Sequence, residues 1–204
     1  MLIEVLILTC SAKHRGYCVA GIELKTRSWI RLVSSKDVAT NEIPYSFMHY
    51  SNGKDCNPLD IVSVDIFEDI PGEIQKENVL INLLIAPRFI RRINLHELEP
   101  YISTGANIFG STSEILTQNE AMQFGYSLAM YLVKDIQFYY NEKGKSKVKF
   151  CYEESTYENW SMTDPSFYGC ASGLFFDQAL IVVSIPEDDY NGDYYKFVSK
   201  IIII

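Results

Sequence analysis

The residues best equipped for chemistry in this chain are cations. Lys13, Arg15, Lys25, Arg27, Arg31 and Lys36 stand between Cys10 and Lys36 with Glu23 as the single acid, an excess of +5 in a chain of formal charge −8. The remainder then carries −13. Such a distribution concentrates positive potential on one region, where a phosphate gains most. Tyr17 and Trp29 are interleaved with these cations. Rings and charge together hold single-stranded nucleic acid, each stacked base contributing about 1–3 kcal/mol. Lys13, His14, Arg15, Tyr17, Trp29 and Arg31 are therefore the candidate groove; the plainer alternative is a solvated basic hairpin with Trp29 in the core.

Other positions offer chemistry in smaller pieces. The polar turn from Ser11 to Gly16 presents backbone amides to an anion, although the G-x-x-x-x-G-K-[ST] loop is absent. His14 is a candidate acid or base, or simply a solvated loop histidine. Asp164, in Thr163-Asp164-Pro165 just after Trp160, offers a partner for a ribose hydroxyl or an exocyclic amine, against the ordinary Asx-turn before proline. Tyr194-Tyr195-Lys196 offers stacking and a phosphate contact, against core packing. Arg88, Arg91 and Arg92 cluster; if this stretch is helical, Arg88 and Arg92 lie one turn apart and can grip a phosphate. Lys143, Lys145, Lys147 and Lys149 alternate on a hairpin and read as a protected sheet edge. No paired carboxylates, Ser/His/Asp or Cys/His arrangement can be assembled. His14, His49 and His96 lack metal-ligand spacing, and no cofactor or metal is expected.

Short strands must position these groups. Residues 2–9, 17–24 and 29–34 read as an antiparallel meander, since parallel neighbours need crossovers of about a dozen residues. Residues 59–67 and 78–85 supply two more strands. Residues 94–102 read as a short helix started by Asn94, with Glu97 as its capping partner. Residues 37–58 form a looser stretch and 113–125 another helical turn or two, and strands return at 127–133, 135–141, 146–153, 156–162, 179–185 and 194–204. The expected organisation is a first barrel over 1–85, a helical or irregular connector over 86–126, and a second barrel over 127–204. The class is mostly β, and a single ten-stranded sandwich is the alternative.

Composition sets outer bounds. A chain of 204 residues with 48% hydrophobic and 22% charged residues folds, and a pI near 4.9 argues against coating nucleic acid by bulk charge. The five cysteines, Cys10, Cys18, Cys56, Cys151 and Cys170, form no C-x-x-C pair and read as free thiols in a reducing compartment. The start Met-Leu-Ile-Glu lacks a signal peptide's basic region. No apolar run approaches the roughly 18 residues of a membrane span. The expected location is the cytoplasm, with no membrane partner.

Several local patterns fall in a telling order. Ser11-x-Lys13-x-x-Gly16-x-Cys18-Val19-Ala20-Gly21-Ile22 leads to Trp29-Ile30-Arg31-Leu32-Val33-Ser34. Then come Pro58-Leu59-Asp60-Ile61-Val62, Trp160-Ser161-Met162-Thr163-Asp164-Pro165 and Gly192-Asp193-Tyr194-Tyr195-Lys196-Phe197-Val198. This ordered set resembles the dual OB-containing domain family of prokaryotes over nearly the whole chain. It departs from that pattern at Val79, where the family tends to carry a Trp, and at Ser199-Lys200. The resemblance implies two OB-like antiparallel barrels and a role in nucleotide or nucleic-acid recognition in prokaryotic conflict systems. The first expectation is thus a noncatalytic module binding a nucleotide or short single-stranded nucleic acid through Lys13, Arg15, Tyr17, Trp29 and Arg31, with Trp160 and Asp164 in support. The rivals are an enzyme acting on a nucleotide or modified base with His14 or Asp164 as acid–base group, and a protein-interaction module of a defence operon.

Overall fold

In the computed structural model, which describes residues Met1–Ile204, the chain divides into two units between Glu97 and Leu98. The first unit begins with β1 (Leu2–Lys13), β2 (Gly16–Glu23) and β3 (Ser28–Val33), an antiparallel meander joined by short turns. β4 (Ile43–Pro44) pairs with the start of β2. β5 (Asp60–Asp69), β6 (Asn78–Ile81) and β7 (Arg88–Arg92) follow. β1 runs through the expected turn at Ser11 because its 12 residues serve two partners. Its first half pairs with β5 from Leu2↔Asp65 to Leu6↔Ile61, and its second half pairs with β2 as far as Lys13↔Gly16.

β5 then pairs antiparallel with β6, and β6 runs parallel to β3. The ring β1-β2-β3-β6-β5 closes on β1, the five-stranded Greek-key barrel of the OB type. Ile3, Val5, Ile7, Val19, Ile30, Leu32, Val62, Val64, Ile66, Val79 and Ile81 point inward and make its core. Each contributes about 1.5–3 kcal/mol by leaving water. Closure also forces β1 and β2 together: a Cβ on Gly21 would lie 1.9 Å from the Leu6 carbonyl oxygen, so only glycine fits there. β7 follows β6 along the same edge of β5, and all of its residues are exposed.

The second unit contains β8 (Ile115–Thr117), α1 (Gln118–Gln123), β9 (Leu128–Tyr140), β10 (Ser146–Tyr152), β11 (Ser155–Ser161), β12 (Phe175–Ser184), β13 (Asp193–Tyr195) and β14 (Phe197–Ile203). Its main sheet has the order β11-β10-β9-β12-β14. A parallel bridge, Met162↔Val198, with the Thr163 amide donating to the Val198 carbonyl at 2.9 Å, joins the β11 end to β14. The connectivity of the first ring is therefore repeated: strands one and four pair, and strands three and five meet in parallel. Phe150 stacks on Tyr157 at 5.1 Å, and Trp160 sits edge-on to both, forming an aromatic core.

Several elements differ from expectation for physical reasons. The two strands expected at 127–141 are one, β9, bent where Asp135 adopts φ 53 opposite a register shift on β10. β10 lies between β9 and β11, so the alternating lysines do not mark a sheet edge. Lys147 is buried there, donating to the Glu114 carboxylate, the Asn159 carbonyl and the Ser161 hydroxyl. The helix expected at 94–102 is a 3-10 segment, Leu95–Tyr101, containing Pro100; the Glu97 carboxylate accepts from the Asn94 amide at 3.0 Å. The stretch expected as a connector is shared between the units: Arg88–Arg92 is a strand of the first, and everything from Leu98 lies in the second. No helix is long and apolar enough to cross a membrane.

Candidate functional site

A concavity of the first unit lies between β7 and the loop that leads into β5. It is a cavity of about 590 Å³ lined by Tyr50, Asn52, Gly53, Lys54, Asp55, Asn57, Asp60, Phe89 and Arg92. The loop folds on itself: the Tyr50 amide donates to the Lys54 carbonyl at 2.8 Å, and the Gly53 amide donates back to Tyr50 at 2.9 Å. Gly53 supplies the left-handed conformation this turn requires, with φ 77.

At the cavity's base sits Asp60, the first residue of β5 and buried. A buried carboxylate demands donors on all sides. One oxygen accepts from the Tyr50 hydroxyl at 2.8 Å and the Asn57 amide at 3.0 Å; the other accepts from Arg92 Nη1 at 2.8 Å. The β5–β7 register puts Arg92 opposite Asp60 and makes this pair. Burial pushes the Tyr50 hydroxyl far above its ordinary pKa, aided by hydrogen bonds to Cys56 and Asp60. Burial likewise pushes the Cys56 thiol up to about 11. Both stay neutral near pH 7.

The upper wall faces solvent. Arg92 is 53% exposed although one nitrogen is tied down, which leaves Nη2 and Nε available to an anion. The Phe89 ring is 44% exposed and is held edge-on by Tyr50, with centroids 5.5 Å apart. Lys54 adds a second exposed cation at the rim. An exposed ring beside a tethered guanidinium is equipped to stack on a flat ligand and pair with a phosphate.

The expected groove is not assembled. Side chains alternate along β2 and β3, so Tyr17 packs against the inward core while Trp29 and Arg31 share the other face. Trp29 pairs with Ile22, five residues along β2 from Tyr17, or about 16 Å at strand rise. Arg31 is 2% exposed. Its guanidinium donates to Glu77 at 3.2 Å and to the Cys18 sulfur at 2.7 Å. Burial opposes its charge, but Cys18 and Glu77 outweigh that and hold its pKa above the ordinary value. The Lys13 ammonium is engaged by the Val38 carbonyl and the Asn41 side chain. His14, at φ 45, and Arg15 are the exposed members of the turn. Tyr17 meets Tyr45 edge-on at 4.8 Å.

In the second unit, Trp160 is 0% exposed and donates its indole N–H to the Thr112 carbonyl at 3.4 Å. Asp164 is buried: it accepts from the Ser166 amide at 3.0 Å, the Asx-turn before Pro165, and from Lys200 and the Ile201 amide. Trp160 and Asp164 are thus taken up by the fold and present nothing to a ligand. Lys196 is buried too, donating to the Ile108 and Ser111 carbonyls.

The sequence marks Arg92 as one of an arginine cluster in a helical or irregular connector, where the structure has a strand, and it does not mark Tyr50, Lys54, Asp60 and Phe89 as site residues. One signal was available: Asp60 is an acid at the head of an apolar strand run, a position that calls for a cation partner.

Nearly the whole chain also matches a family model. Residues 3–201 match the model described as the dual OB-containing domain. No curated protein and no solved structure matches.

Proposed function

Since the chain belongs to the dual OB-containing domain family, we propose that it is a recognition module that binds a nucleotide or short single-stranded nucleic acid without transforming it. The cavity of the first barrel is the binding site in this reading. The observation that carries the reading is the exposed Phe89 ring beside an Arg92 guanidinium preset by buried Asp60. Phe89 stacks on the base; Arg92 and Lys54 meet the phosphate. Asp164 does not serve as an acid–base group, because both its oxygens are engaged by the fold. The setting that accompanies the family resemblance is a cytoplasmic prokaryotic conflict system.

The test is a thermal-shift screen at low salt against mono-, di- and cyclic nucleotides and short oligonucleotides, because a ligand that binds the native state raises the melting point by mass action. At least one class should raise it in the wild type and fail to do so in Phe89→Ala. A panel that leaves the wild-type melting point unmoved overturns the proposal.

A further inference from the structure

Resting on that reading, we propose that the cavity beside β7 takes a single nucleotide unit through a terminal phosphate and does not thread a running strand. The argument begins with size. About 590 Å³ is the room of one small ligand, within the roughly 300–1,000 Å³ of small-molecule sites.

The number of rings points the same way. Single-strand grooves lay successive bases on successive aromatic platforms. Here one ring is presented. Tyr50, the other aromatic of the cavity, is buried, spends its hydroxyl on Asp60, and turns edge-on at 63° to support Phe89. A second base finds no second platform.

The charges decide between a terminal and an internal phosphate. A phosphate monoester carries nearly two negative charges near pH 7, and a diester within a strand carries one. Arg92 and Lys54 are two cations on one small cavity, and Arg92 is already oriented by its 2.8 Å bond to Asp60. Arg92, fixed by Asp60, and Lys54, free to follow a ligand at the rim, reward the dianion over the monoanion. The exposed carboxylate of Asp55, paired with His49, lines the same cavity, so its cations suffice for one phosphate, and a strand continuing past the rim enters a molecule of net charge −8.

Isothermal titration of the full chain with four probes tests this: a nucleoside 5′-monophosphate, the same compound as its methyl ester, the free nucleoside, and a twelve-nucleotide single strand with hydroxyl groups at both ends. The monophosphate should bind at least 10-fold more tightly than its methyl ester and the capped strand. Lys54→Gln, at an exposed side chain whose removal breaks no side-chain bond of the fold, should lower monophosphate affinity several-fold and leave nucleoside affinity unchanged. Arg92→Gln should do the same more strongly, provided circular dichroism shows it folded. Equal binding of the monophosphate and its ester overturns the inference. So does a capped strand that binds more tightly with a log–log salt slope steeper than about −2, the mark of several phosphate contacts; either result leaves the recognition reading standing. No binding by any probe overturns the inference, and the recognition reading falls with it when the thermal-shift panel is silent as well.

Discussion

Replacing Lys196 by methionine tests the least expected group in the molecule. The lysine is 0% exposed, interrupts the run between β13 and β14, and donates to the Ile108 carbonyl at 2.9 Å and the Ser111 carbonyl at 2.7 Å. The Trp160 ring lies 5.0 Å from its nitrogen. Burial pushes its pKa down to about 7 from an ordinary 10.5, with Glu120 pulling weakly the other way. A neutral amine still has two N–H groups for the two carbonyls, so deprotonation keeps both bonds. Between pH 7 and 10.5 the unfolded chain then binds more protons than the folded one at this site, and stability rises with pH. The slope is about 1.4 kcal/mol per pH unit, so between roughly pH 7.5 and pH 9 the wild type gains about 2 kcal/mol over Lys196→Met. Above about pH 9 the Cys56 thiol, raised from 9.0 to about 11, makes stability fall with pH in both proteins alike and so cancels from their difference. Urea unfolding of the pair at several pH values reads the difference directly. Parallel stability curves across the window refute the reasoning: the carbonyls and the indole would then hold Lys196 as an ammonium.

Two further substitutions probe the first barrel. Glu77→Gln leaves the buried Arg31 guanidinium without its anion, 3.2 Å away in the wild type, and should cost about 3–5 kcal/mol in urea unfolding; a loss below 1 kcal/mol would mean that Arg31 is solvated after all. Nucleotide affinity measured well below the melting point should not change, because neither residue lines the cavity. Gly21→Ala places a methyl group 1.9 Å from the Leu6 carbonyl oxygen. It should destabilise by about 3 kcal/mol or prevent folding, and a neutral result in thermal denaturation would contradict the close approach of β1 and β2.

What could be read from sequence was the local part. The meander at 2–34 was visible because alternation and short polar turns are properties of neighbouring residues. The capping pair Asn94 and Glu97 was visible for the same reason. The closures were not: β1 with β5, and β3 in parallel with β6, join residues tens of positions apart, and no periodicity encodes them. The candidate site failed at the same boundary. Arg31 reads as a solvent cation within its own strand, and Glu77, 46 positions away, together with Cys18 makes it an interior one. Arg92 reads as one member of a helical arginine cluster until β5 supplies Asp60 opposite it. A charge count locates cations without telling which of them the fold has already used.

The two rings share one strand order but not one surface chemistry, and that difference follows from what each unit does with its polar aromatic groups. In the second unit they are turned onto the chain's own backbone. The Tyr152 hydroxyl donates to the Gly105 carbonyl, the Tyr157 hydroxyl bonds the Asn107 side chain and accepts from the Ile108 amide, and the Trp160 indole donates to Thr112. Lys196 binds two more carbonyls of the same stretch. Phe109 enters a left-handed conformation there, φ 45, as its side chain goes into the interior. The donors of these four side chains are thus satisfied from within. In the first unit the stretch leading into β5 turns its Tyr50 hydroxyl and Asn57 amide onto Asp60, which also holds Arg92, and leaves Phe89 and half of a guanidinium facing water. Duplicating the barrel therefore does not duplicate the site. If both units bound with equal affinity, titration would give two equivalent sites per chain; the distribution of donors calls for one.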